Sequence, residues 1–587
     1  MCIIDVCEYF VGVVRNMERG SANTTNATNI SSATEFVETV DVVIVGSGGG
    51  GMVAALVAND LGLSARIIEK TATYGGSTAR SGGGIWIPCN YLMREAGVAD
   101  TPEEARTYLQ ATVGDRSPQA SRDAYVRNAA PMIDWLRANT AVDFTYMPGY
   151  ADYYPELPGG KAAGRAIEAD LFDGRRLGDD LGQLRAPYIE MPGGLAFRAR
   201  EFQKLAMVMR TWRGKATAAR IGARVLMNRV GGRKMLMMGQ SLIGAMRLSL
   251  KERKVPLSLN TPLTELIVED GRVVGVRAER NGQPIELRAR KAVILAAGGF
   301  EHNLEMRLQY QQHPIGTEWT VGAEGNTGDA IQAGMRLGAD IDLMNEAWWG
   351  PTSLPPDRSP AFHVGERAHP GIIMVGKNGK RFTNESASYV QVVQHMYRAH
   401  RDDDPHVPCY FIFDQRYRDN YLFGQLAPKQ PVPGKFFKSG YMKRADTIVG
   451  LAEQLGIPPA ALAATVQRFN AFAREGKDRD FGRGESAYDH YYGDPTNKPN
   501  PNLAPLEKAP FYGVACWPGD LGTKGGLKTD EFARVLRPDG QIIEGLYCVG
   551  NNAASVMGAT YPGPGCTIGS TMTFGYIAAR HIAGATT

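Results

Sequence analysis

The residues of this chain best suited to do chemistry lie near its end, in Tyr561-Pro562-Gly563-Pro564-Gly565. Prolines fix the backbone φ angle at their own positions, and glycines let a backbone pass close to a ligand. The Tyr561 hydroxyl and the Gly565 backbone N–H can therefore converge on one small acceptor oxygen, as the donors of an oxyanion hole do. We interpret the segment as a device that polarises a carbonyl group.

A second motif, near the start of the chain, is typical of dinucleotide binding. A predicted buried strand at 40–45 runs into glycines spaced G-x-G-x-x-G at 46–51, and a helix is predicted to begin near Met52. A second predicted strand, 65–68, ends just before Glu69. In such a βαβ unit the pyrophosphate lies at the helix N-terminus and the acid binds the ribose hydroxyls. The alternative is a tight turn with a purely structural role.

A glycine-rich loop at 75–84 directly follows this unit and favours a flavin. A simple nicotinamide enzyme does not need such a loop, whereas the ring of FAD must be gripped beyond its pyrophosphate. Predicted apolar strands at 292–299 and 545–551 end in small residues, as expected where the edge of a sheet meets the flavin. The loop contains no histidine, so we expect FAD to be bound non-covalently.

The elements that must position these motifs predict an α/β fold, with a Rossmann-type FAD-binding domain and an inserted α+β substrate domain. A chain of 587 residues is too long for one compact core. Alternating runs over 257–287 predict a β-meander, and an amphipathic helix is predicted near 459–475. We expect a disordered extension at 1–39, the FAD-binding domain at 40–345 with a basic insertion at 156–240, the substrate and catalytic domain at 346–520, and a return to the FAD-binding domain at 521–587.

The composition argues against several classes of protein. A net charge of +4 is small for this length, so no nucleic-acid partner is expected. The seven cysteines stand singly, without a C-x-x-C pair, which argues against a disulfide framework, a zinc site or an iron–sulfur cluster. We therefore expect no metal and a reducing, cytoplasmic setting. Residues 2–14 are rather apolar, but Asp5 and Glu8 interrupt them, so they are a poor signal peptide or membrane span.

Taken together, these motifs resemble the 3-ketosteroid Δ1-dehydrogenases, within the fumarate-reductase-like flavoproteins. The resemblance covers roughly residues 40–585, and the combination of Tyr153, Tyr389 and Tyr561-x-x-x-Gly565 is its most specific part. The other matching pieces are 46–51, 75–86, Asp152-Tyr153-Tyr154, Asn326-Thr327-Gly328-Asp329, Asn384-Glu385-Ser386-Ala387-Ser388-Tyr389 and Asp520-Leu521-Gly522-Thr523-Lys524-Gly525-Gly526.

The resemblance implies a role for each of four residues. Tyr561 and the Gly565 N–H bind the carbon-3 carbonyl oxygen of a 3-ketosteroid and promote its enolisation. Tyr389 removes a proton from carbon 2, with Tyr153 hydrogen-bonded to it, and flavin N5 accepts the hydride from carbon 1. Protons next to a ketone become acidic only when the developing enolate is stabilised. A free tyrosine titrates near pH ~10, so the base needs help from its surroundings.

The same motifs and resemblance give the expected binding residues. Phe362 matches a position lining the steroid pocket, and Tyr150 stands where an apolar aromatic residue is expected, which indicates a different pocket entrance. The expected cofactor-binding residues are Gly46, Ser47, Gly48, Gly49, Gly51, Glu69, Lys70, Gly76, Ser77, Thr78, Ser81, Gly82, Gly83, Ala297, Gly298, Asn326, Asp329, Gly550, Asn551, Gly565 and Ile568.

A long insertion between Tyr154 and Ser241 separates this chain from the family's shorter members. Within it, residues 198–234 carry eleven Lys or Arg residues and a single acid, Glu201, mixed with apolar residues at helical spacing. This pattern predicts an amphipathic element lying on anionic lipid. Our hypothesis is a peripheral enzyme on the inner face of the cell membrane that draws an insoluble substrate from the bilayer and reduces a quinone-like acceptor. The alternative is a solvated basic helix pair covering the cofactor domain.

Three other functions compete with Δ1-dehydrogenation. A Δ4-(5α)-dehydrogenase would act on carbons 4 and 5 of a saturated ring A. A fumarate-reductase-like enzyme would need Arg and His residues to bind two carboxylates, and His363, Arg367 and His369 lie in the predicted substrate domain. A flavin-binding protein without catalysis would not need Tyr389 and Tyr561.

Overall fold

The structure, a computed structural model, describes residues 37–188 and 194–585. Strands and helices alternate through the first part of the chain, as expected for an α/β protein. The strands are β1 (Val37–Val45), β2 (Ala65–Ile68), β3 (Gly84–Trp86), β4 (Phe144–Tyr146), β5 (Ala166–Ala169), β6 (Phe172–Asp173), β7 (Met235–Leu236), β8 (Leu257–Ser258), β9 (Leu263–Glu269), β10 (Arg272–Arg280), β11 (Gln283–Leu295), β12 (Ile341–Asp342), β13 (Ala347–Ser353), β14 (Ala361–Phe362), β15 (Ile372–Val375), β16 (Cys409–Asp414), β17 (Met442–Ala445), β18 (Phe511–Thr523), β19 (Gly526–Leu527), β20 (Arg534–Leu536) and β21 (Ile542–Cys548).

The α-helices of the described residues range from five to 21 residues in length. They are α1 (Gly49–Asp60), α2 (Gly76–Arg80), α3 (Tyr91–Glu95), α4 (Pro102–Thr112), α5 (Gln119–Asn139), α6 (Ala199–Ala206), α7 (Trp212–Val230), α8 (Met238–Glu252), α9 (Leu304–Tyr310), α10 (Asp329–Arg336), α11 (Tyr389–Ala399), α12 (Gln415–Asn420), α13 (Gly434–Lys438), α14 (Ile448–Leu455), α15 (Pro459–Glu475), α16 (Ala487–Tyr491) and α17 (Cys566–Ile582). None of them is long and apolar enough to cross a bilayer.

A sheet with β1 at its centre carries the first glycine motif. Its main strand order is β20-β21-β11-β1-β2-β8, and β1 is parallel to both β2 and β11. Val42, Val43 and Ile44 are fully buried because a central parallel strand is covered on both faces. Helix α1 joins β1 to β2, which confirms the predicted βαβ unit.

Two predicted boundaries in this unit are wrong by a few residues. The predicted disordered extension includes 37–39, but β1 begins at Val37 and pairs there with Glu286 of β11; residues 1–36 lie outside the described residues. The helix α1 begins at Gly49 rather than near Met52, because Gly48 already has the extended conformation of an N-cap residue.

The predicted β-meander is present as β9, β10 and β11. Its two hairpin turns are Asp270-Gly271 and Asn281-Gly282, and all four residues have positive φ angles. Two central residues with positive φ are typical of the type I′ turn, whose twist matches that of the two strands it joins. Residues 257–258, predicted as part of the meander, form β8 and pair with β2 instead. The strand predicted at 292–299 is the second half of β11, which continues unbroken to Leu295.

A second, antiparallel sheet lies within the predicted substrate domain. Its order is β14-β13-β18-β16-β15, with β17 paired to β18. The helix α15 has the bounds predicted from its amphipathic pattern, and its apolar side, which includes Leu462 and Phe469, packs on buried residues of β15 and β16 such as Ile373 and Ile412. The strand β18 runs to Thr523 and so continues past residue 520 into the cofactor region.

Candidate active site

One cavity of about 970 Å³ contains nearly all of the residues that the sequence singled out. Tyr153, Tyr389, Tyr561 and Gly565 line it, as do Phe362 and Tyr150. Every expected cofactor-binding residue lines it except Gly51. Gly51 lies inside α1, where an added Cβ would overlap the carbonyl oxygen of Gly46.

The first glycine motif forms one end of the cavity by close backbone packing. Gly46 has a φ of +108°, and a side chain there would overlap the carbonyl oxygen of Ala296, at the end of β11. Ser47 donates from its hydroxyl to Glu69 Oε2 at 2.6 Å and from its backbone N–H at 3.2 Å. Thr71 donates its N–H to the other carboxylate oxygen of Glu69 at 3.0 Å, so the acid is held firmly at the cavity wall.

Other glycines leave open space in front of them, which is the arrangement a bound group requires. An ideal Cβ on Gly48 or Gly76 would have no neighbour closer than 3.7 Å, and one on Gly82 would have none within 4 Å. Their small size is therefore not required by packing within the protein. Gly49 and Gly50, at the N-terminus of α1, line the same end of the cavity, so the space in front of these glycines fits the pyrophosphate and the ring of FAD.

Polar side chains from distant segments connect across the same part of the cavity. The Ser77 hydroxyl accepts from the Ala323 N–H at 2.9 Å and from the Asn326 amide at 3.1 Å. Lys70 and Asp329 form an ion pair at 2.6 Å. These bonds join the segment from the end of β2 into α2 to the segment that leads into α10, so the two segments form one continuous wall.

The segment 561–565 leads into the helix α17 through a glycine in the left-handed region. Gly565 has a φ of +90° and is the N-cap residue of α17. A side chain at Gly565 would overlap the carbonyl oxygen of Gly84, so only glycine fits there. Tyr561 is 3 % exposed, and its hydroxyl accepts a hydrogen bond from Thr567 Oγ1 at 3.2 Å. Tyr561 and the first turn of α17 therefore face the cavity together.

Tyr153 is held against that segment through its backbone and its neighbour. The Tyr153 N–H donates to the carbonyl oxygen of Pro562 at 2.9 Å. Asp152, which is fully buried, accepts from the indole N–H of Trp86 at 2.7 Å and pairs with Arg165. The Asp152 contacts fix the position of Tyr153 without involving its hydroxyl.

Tyr389 is the first residue of α11 and approaches Tyr153 from the other side of the cavity. The preceding turn is fixed by Arg367, which donates to the Ala387 carbonyl oxygen at 2.7 Å. The Tyr153 hydroxyl donates to the Tyr389 hydroxyl at 3.1 Å. The ring centres of Tyr389 and Tyr561 are 5.5 Å apart, and that of Phe362 lies 5.4 Å from Tyr389. Three phenols from distant segments thus meet at one point.

Burial raises the pKa of each phenol in this group. It raises the pKa of Tyr561 to about 12 and holds the pKa values of Tyr389 and Tyr153 well above 10. The hydrogen bond from Tyr153 acts in the opposite direction on Tyr389 and lowers its pKa. The described residues thus give the expected base a hydrogen-bond donor but leave most of the cost of ionising it uncompensated.

Sequence reasoning missed several residues of the cavity wall. The Tyr150 hydroxyl is hydrogen-bonded to that of Tyr492 at 2.6 Å, and the Tyr150 ring stacks on Tyr491 with centres 4.1 Å apart. The sequence does show two adjacent tyrosines at 491 and 492. It does not show that they contact Tyr150, which lies more than 300 residues earlier in the chain. The helix α6 also lines the cavity, through Phe202 and Leu205 among others.

The Arg and His residues of the carboxylate alternative are used in other ways. Arg367 donates to backbone carbonyl oxygens, including that of His363 at 3.1 Å. The His363 ring is hydrogen-bonded to the Ser353 hydroxyl at 2.8 Å, and neither residue is among those lining the cavity. His369 lines the cavity, but burial lowers its pKa to about 4, so its ring is neutral at pH 7.

Comparison with known proteins identifies the family of the chain. A family model for the FAD binding domain matches residues 41–568. The chain is 50% identical to the 3-oxosteroid 1-dehydrogenase of Mycolicibacterium smegmatis, over 92% of this chain and 97% of the relative. It is 35% identical to the 4-oxocyclohexanecarboxylate 2-dehydrogenase of Sinomonas cyclohexanicum, over 93% of each chain.

A solved structure gives the same result. The 3-ketosteroid Δ1-dehydrogenase of Sterolibacterium denitrificans, in complex with 1,4-androstadiene-3,17-dione, superposes with a TM-score of 0.88 at 41% identity, over 94% of this chain and 100% of that one. The family resemblance and the fold class predicted from the sequence are thereby confirmed. The chain belongs to the 3-oxosteroid 1-dehydrogenases, within the family of proteins that share this FAD-binding domain.

Proposed function

We propose that the protein introduces a double bond between carbons 1 and 2 of a 3-ketosteroid, using non-covalently bound FAD. The observation that carries this proposal is the meeting of Tyr153, Tyr389 and Tyr561 in one cavity with the first turn of α17. Family membership supports the same reaction.

The first task of these residues is to bind and polarise the ketone. The Tyr561 hydroxyl and the Gly565 N–H donate to the carbon-3 oxygen, where negative charge develops as the enolate forms. Donors that are already in place stabilise this charge at little cost in reorganisation. The fixed contacts of Thr567 and Gly84 hold both donors in place before the substrate arrives.

The second task is to take the proton from carbon 2. Tyr389 accepts it as the phenolate, and the Tyr153 hydroxyl stabilises that phenolate by donating to it at 3.1 Å. FAD, when bound, supplies the hydride acceptor for carbon 1. Phe362 packs beside Tyr389 and, with the other apolar lining residues, excludes water from the reacting carbons.

The Δ4 alternative and the carboxylate alternative have less support. The carboxylate alternative would need free Arg and His side chains, but Arg367 and His363 are already bonded within the protein. The Δ4 reaction would use the same kind of carbonyl-binding pair and base, since carbon 4 is also next to the ketone, and it is the similarity to the 3-oxosteroid 1-dehydrogenases that favours carbons 1 and 2. A smaller cyclic ketone is a second candidate substrate, because the Sinomonas relative is named for such a compound. The higher identity to the relative named for a steroid, 50% against 35%, favours the larger substrate.

An anaerobic experiment tests the reaction directly. The purified protein is mixed with androst-4-ene-3,17-dione and the visible absorbance of its flavin is followed. Prompt bleaching with formation of the 1,4-diene is the expected result. Bleaching only with a 5α-saturated 3-ketosteroid would assign the Δ4 reaction, and bleaching only with 4-oxocyclohexanecarboxylate would assign the smaller ketone. Acid precipitation of the same protein should release the yellow colour into solution if FAD is non-covalent.

The exposed face of α7 supports contact with a membrane. Trp212, Leu226, Met227 and Val230 are between 65 % and 84 % exposed and fall on one side of the helix. The opposite side, which includes Ile221, is buried against the protein. The helix α7 therefore has two apolar sides. One packs against the protein, and the other is exposed to the surroundings.

Basic residues border this stripe on both sides. At the angular spacing of an α-helix, Arg213 and Arg220 lie along one edge and Lys215 and Arg229 along the other. An apolar stripe between two rows of cations fits an anionic lipid surface. The neighbouring helix α6 lines the cavity, so a steroid leaving the bilayer would reach the cavity over a short path.

Vesicle flotation tests the membrane contact. We expect the protein to float with vesicles that contain phosphatidylglycerol, less so with pure phosphatidylcholine, and to be released by salt. The double variant W212S/V230S should lose most of this binding. The double variant L304S/L308S removes two apolar residues of α9 that are 47 % and 46 % exposed and serves as the control. Equal flotation of W212S/V230S and the wild-type protein would contradict the proposal.

The proposed membrane contact also bears on the electron acceptor and on the cellular compartment. A lipid-soluble quinone is the acceptor we propose, since an enzyme on the bilayer surface can reach it in the same phase as its substrate. We place the enzyme on the cytoplasmic side, where free cysteines such as Cys409 and Cys516 stay reduced. Reoxidation of the bleached flavin by a short-chain quinone, but not by NAD, is the corresponding measurement.

A further inference from the structure

A buried lysine lies behind the segment that carries Tyr561. Lys524 is 0 % exposed, although lysine is rarely fully buried unless it is paired with a carboxylate. No carboxylate oxygen in residues 37–188 and 194–585 lies within 4.0 Å of its ammonium group. Glu346, at longer range, is the acid whose charge acts on it. Neither the proposed ketone-binding pair nor the proposed base makes use of this cation.

Lys524 is connected to Tyr561 in two ways. Its ammonium donates to the carbonyl oxygen of Thr560, the residue before Tyr561, at 2.6 Å. It also stands over the ring of Trp348, 4.2 Å from the ring centre. The Trp348 ring in turn packs edge-on against that of Tyr561, with centres 4.8 Å apart. Trp348 also donates to Asn551 Oδ1 at 3.0 Å, so it reaches the expected cofactor wall as well.

Burying a cation without an ion pair costs free energy, and here it lowers the pKa of Lys524 to about 8. A charge kept in such a place is useful where negative charge appears nearby. The two ring contacts place the ammonium within about 9 Å of the centre of the Tyr561 ring, a range over which charges still interact in a poorly solvated interior. Enolisation of the ketone generates its negative charge at the oxygen that Tyr561 binds.

We propose that Lys524 is a positioning residue of the ketone-binding site, which fixes Tyr561 through Thr560 and stabilises the enolate oxygen by its charge. This inference rests on the proposed function of Tyr561 and Gly565. It assigns no proton transfer to Lys524, whose ammonium keeps its three protons throughout. The indole of Trp348 holds the ammonium at a fixed distance from the site by a cation–π contact.

The ionisation of a bound phenolic steroid tests this role without turnover. Equilenin, whose phenol oxygen takes the place of the enolate oxygen, has different absorption and fluorescence as phenol and as phenolate. We expect the wild-type protein to lower the pKa of bound equilenin. Lys524→Met should raise that bound pKa by about one unit, which is a tenfold loss of phenolate binding. Lys524→Arg should keep the wild-type pKa of bound equilenin. Its stabilisation of the phenolate should also persist above pH 8, because arginine stays charged.

Two controls separate the possible outcomes. Lys528→Met removes a partly exposed lysine on the same segment, paired with Asp340, and should leave the bound pKa unchanged. In anaerobic bleaching, Lys524→Met should lower the maximal rate about tenfold and change the half-saturating steroid concentration little.

If the wild-type protein bleaches normally, an unchanged pKa of bound equilenin in Lys524→Met would overturn this inference alone. If Lys524→Met does not fold, loss of the wild-type behaviour in Lys524→Arg would overturn it. A wild-type protein that neither bleaches nor binds equilenin would overturn the proposed function and this inference together.

Discussion

The backbone N–H of Tyr153 donates to the carbonyl oxygen of Pro562 at 2.9 Å. This bond connects a loop in the first third of the chain with the segment that carries Tyr561. It fixes the distance between the expected helper of the base and the expected ketone-binding pair, independently of any side-chain rotamer. Movement of either loop would therefore displace the other.

Tyr561→Phe should reduce the rate of anaerobic flavin bleaching by about 10²- to 10³-fold, the usual effect of removing one donor from an oxyanion site. The phenylalanine ring keeps the packing against Trp348, so the visible spectrum of bound flavin should not change. Thr567→Val, which removes only the donor to the Tyr561 hydroxyl, should have a much smaller effect. A near-normal rate in Tyr561→Phe would exclude the hydroxyl from the reaction.

The pH dependence of bleaching should report the proposed base. Tyr389 would act as the phenolate, and burial holds its pKa well above 10, so the reactive fraction should rise about tenfold per pH unit below that value. Between about pH 6 and 7, where Lys524 keeps its charge, we expect the logarithm of the bleaching rate to rise with a slope near one.

Tyr153→Phe extends this test. It removes the hydrogen bond that lowers the pKa of Tyr389, so the rate should fall at every pH while the slope stays the same. Tyr188→Phe changes another cavity tyrosine and is the control. A rate that does not depend on pH over this range would contradict the phenolate mechanism.

Tyr150→Phe should lower stability more than activity. It removes the 2.6 Å hydrogen bond to Tyr492 and leaves that hydroxyl without this partner, at a cost of about 1–3 kcal/mol. The stack on Tyr491 is kept, because it involves only the ring. The double variant Y150F/Y492F should be less destabilised than the sum of the two single variants, as measured by urea unfolding. Additive effects would show that the two hydroxyls do not interact.

The stability of the protein should fall in mild acid because of His369. Burial lowers the pKa of this ring from 6.5 to about 4, while Glu366 and Asp494 act to raise it and Arg483 acts to lower it. Between those two pH values the unfolded state binds the proton more readily. The contribution of His369 to the free energy of unfolding, ~3 kcal/mol, is therefore complete above about pH 6.5 and is lost as the pH falls towards 4.

The measurement is the change in melting temperature between pH 7 and pH 5. His369→Gln should show a smaller change than the wild-type protein, because glutamine does not titrate. His313→Gln alters an exposed histidine and should behave as the wild type. Equal acid sensitivity in all three proteins would assign the loss of stability to other groups.

Much of the cofactor end could be predicted from the sequence, because it depends on local backbone requirements. A glycine is needed at Gly46 and Gly565 since each has a positive φ and no room for a side chain. The turn residues Asp270-Gly271 and Asn281-Gly282 specify their hairpins in the same way. The sequence did not give the exact ends of the elements. The start of β1 at Val37, for example, is set by its pairing with a strand far along the chain.

Only the tertiary structure decided which side chains meet. The contacts of Tyr153 with Tyr389, and of Tyr150 with Tyr492, join segments more than 200 residues apart. The burial of Lys524 is likewise invisible in a sequence where a lysine normally indicates surface. Sequence patterns record the period and the backbone preferences of each segment, whereas these contacts depend on how the two sheets and their loops pack together. That packing, rather than any single motif, makes one site from residues spread over the chain.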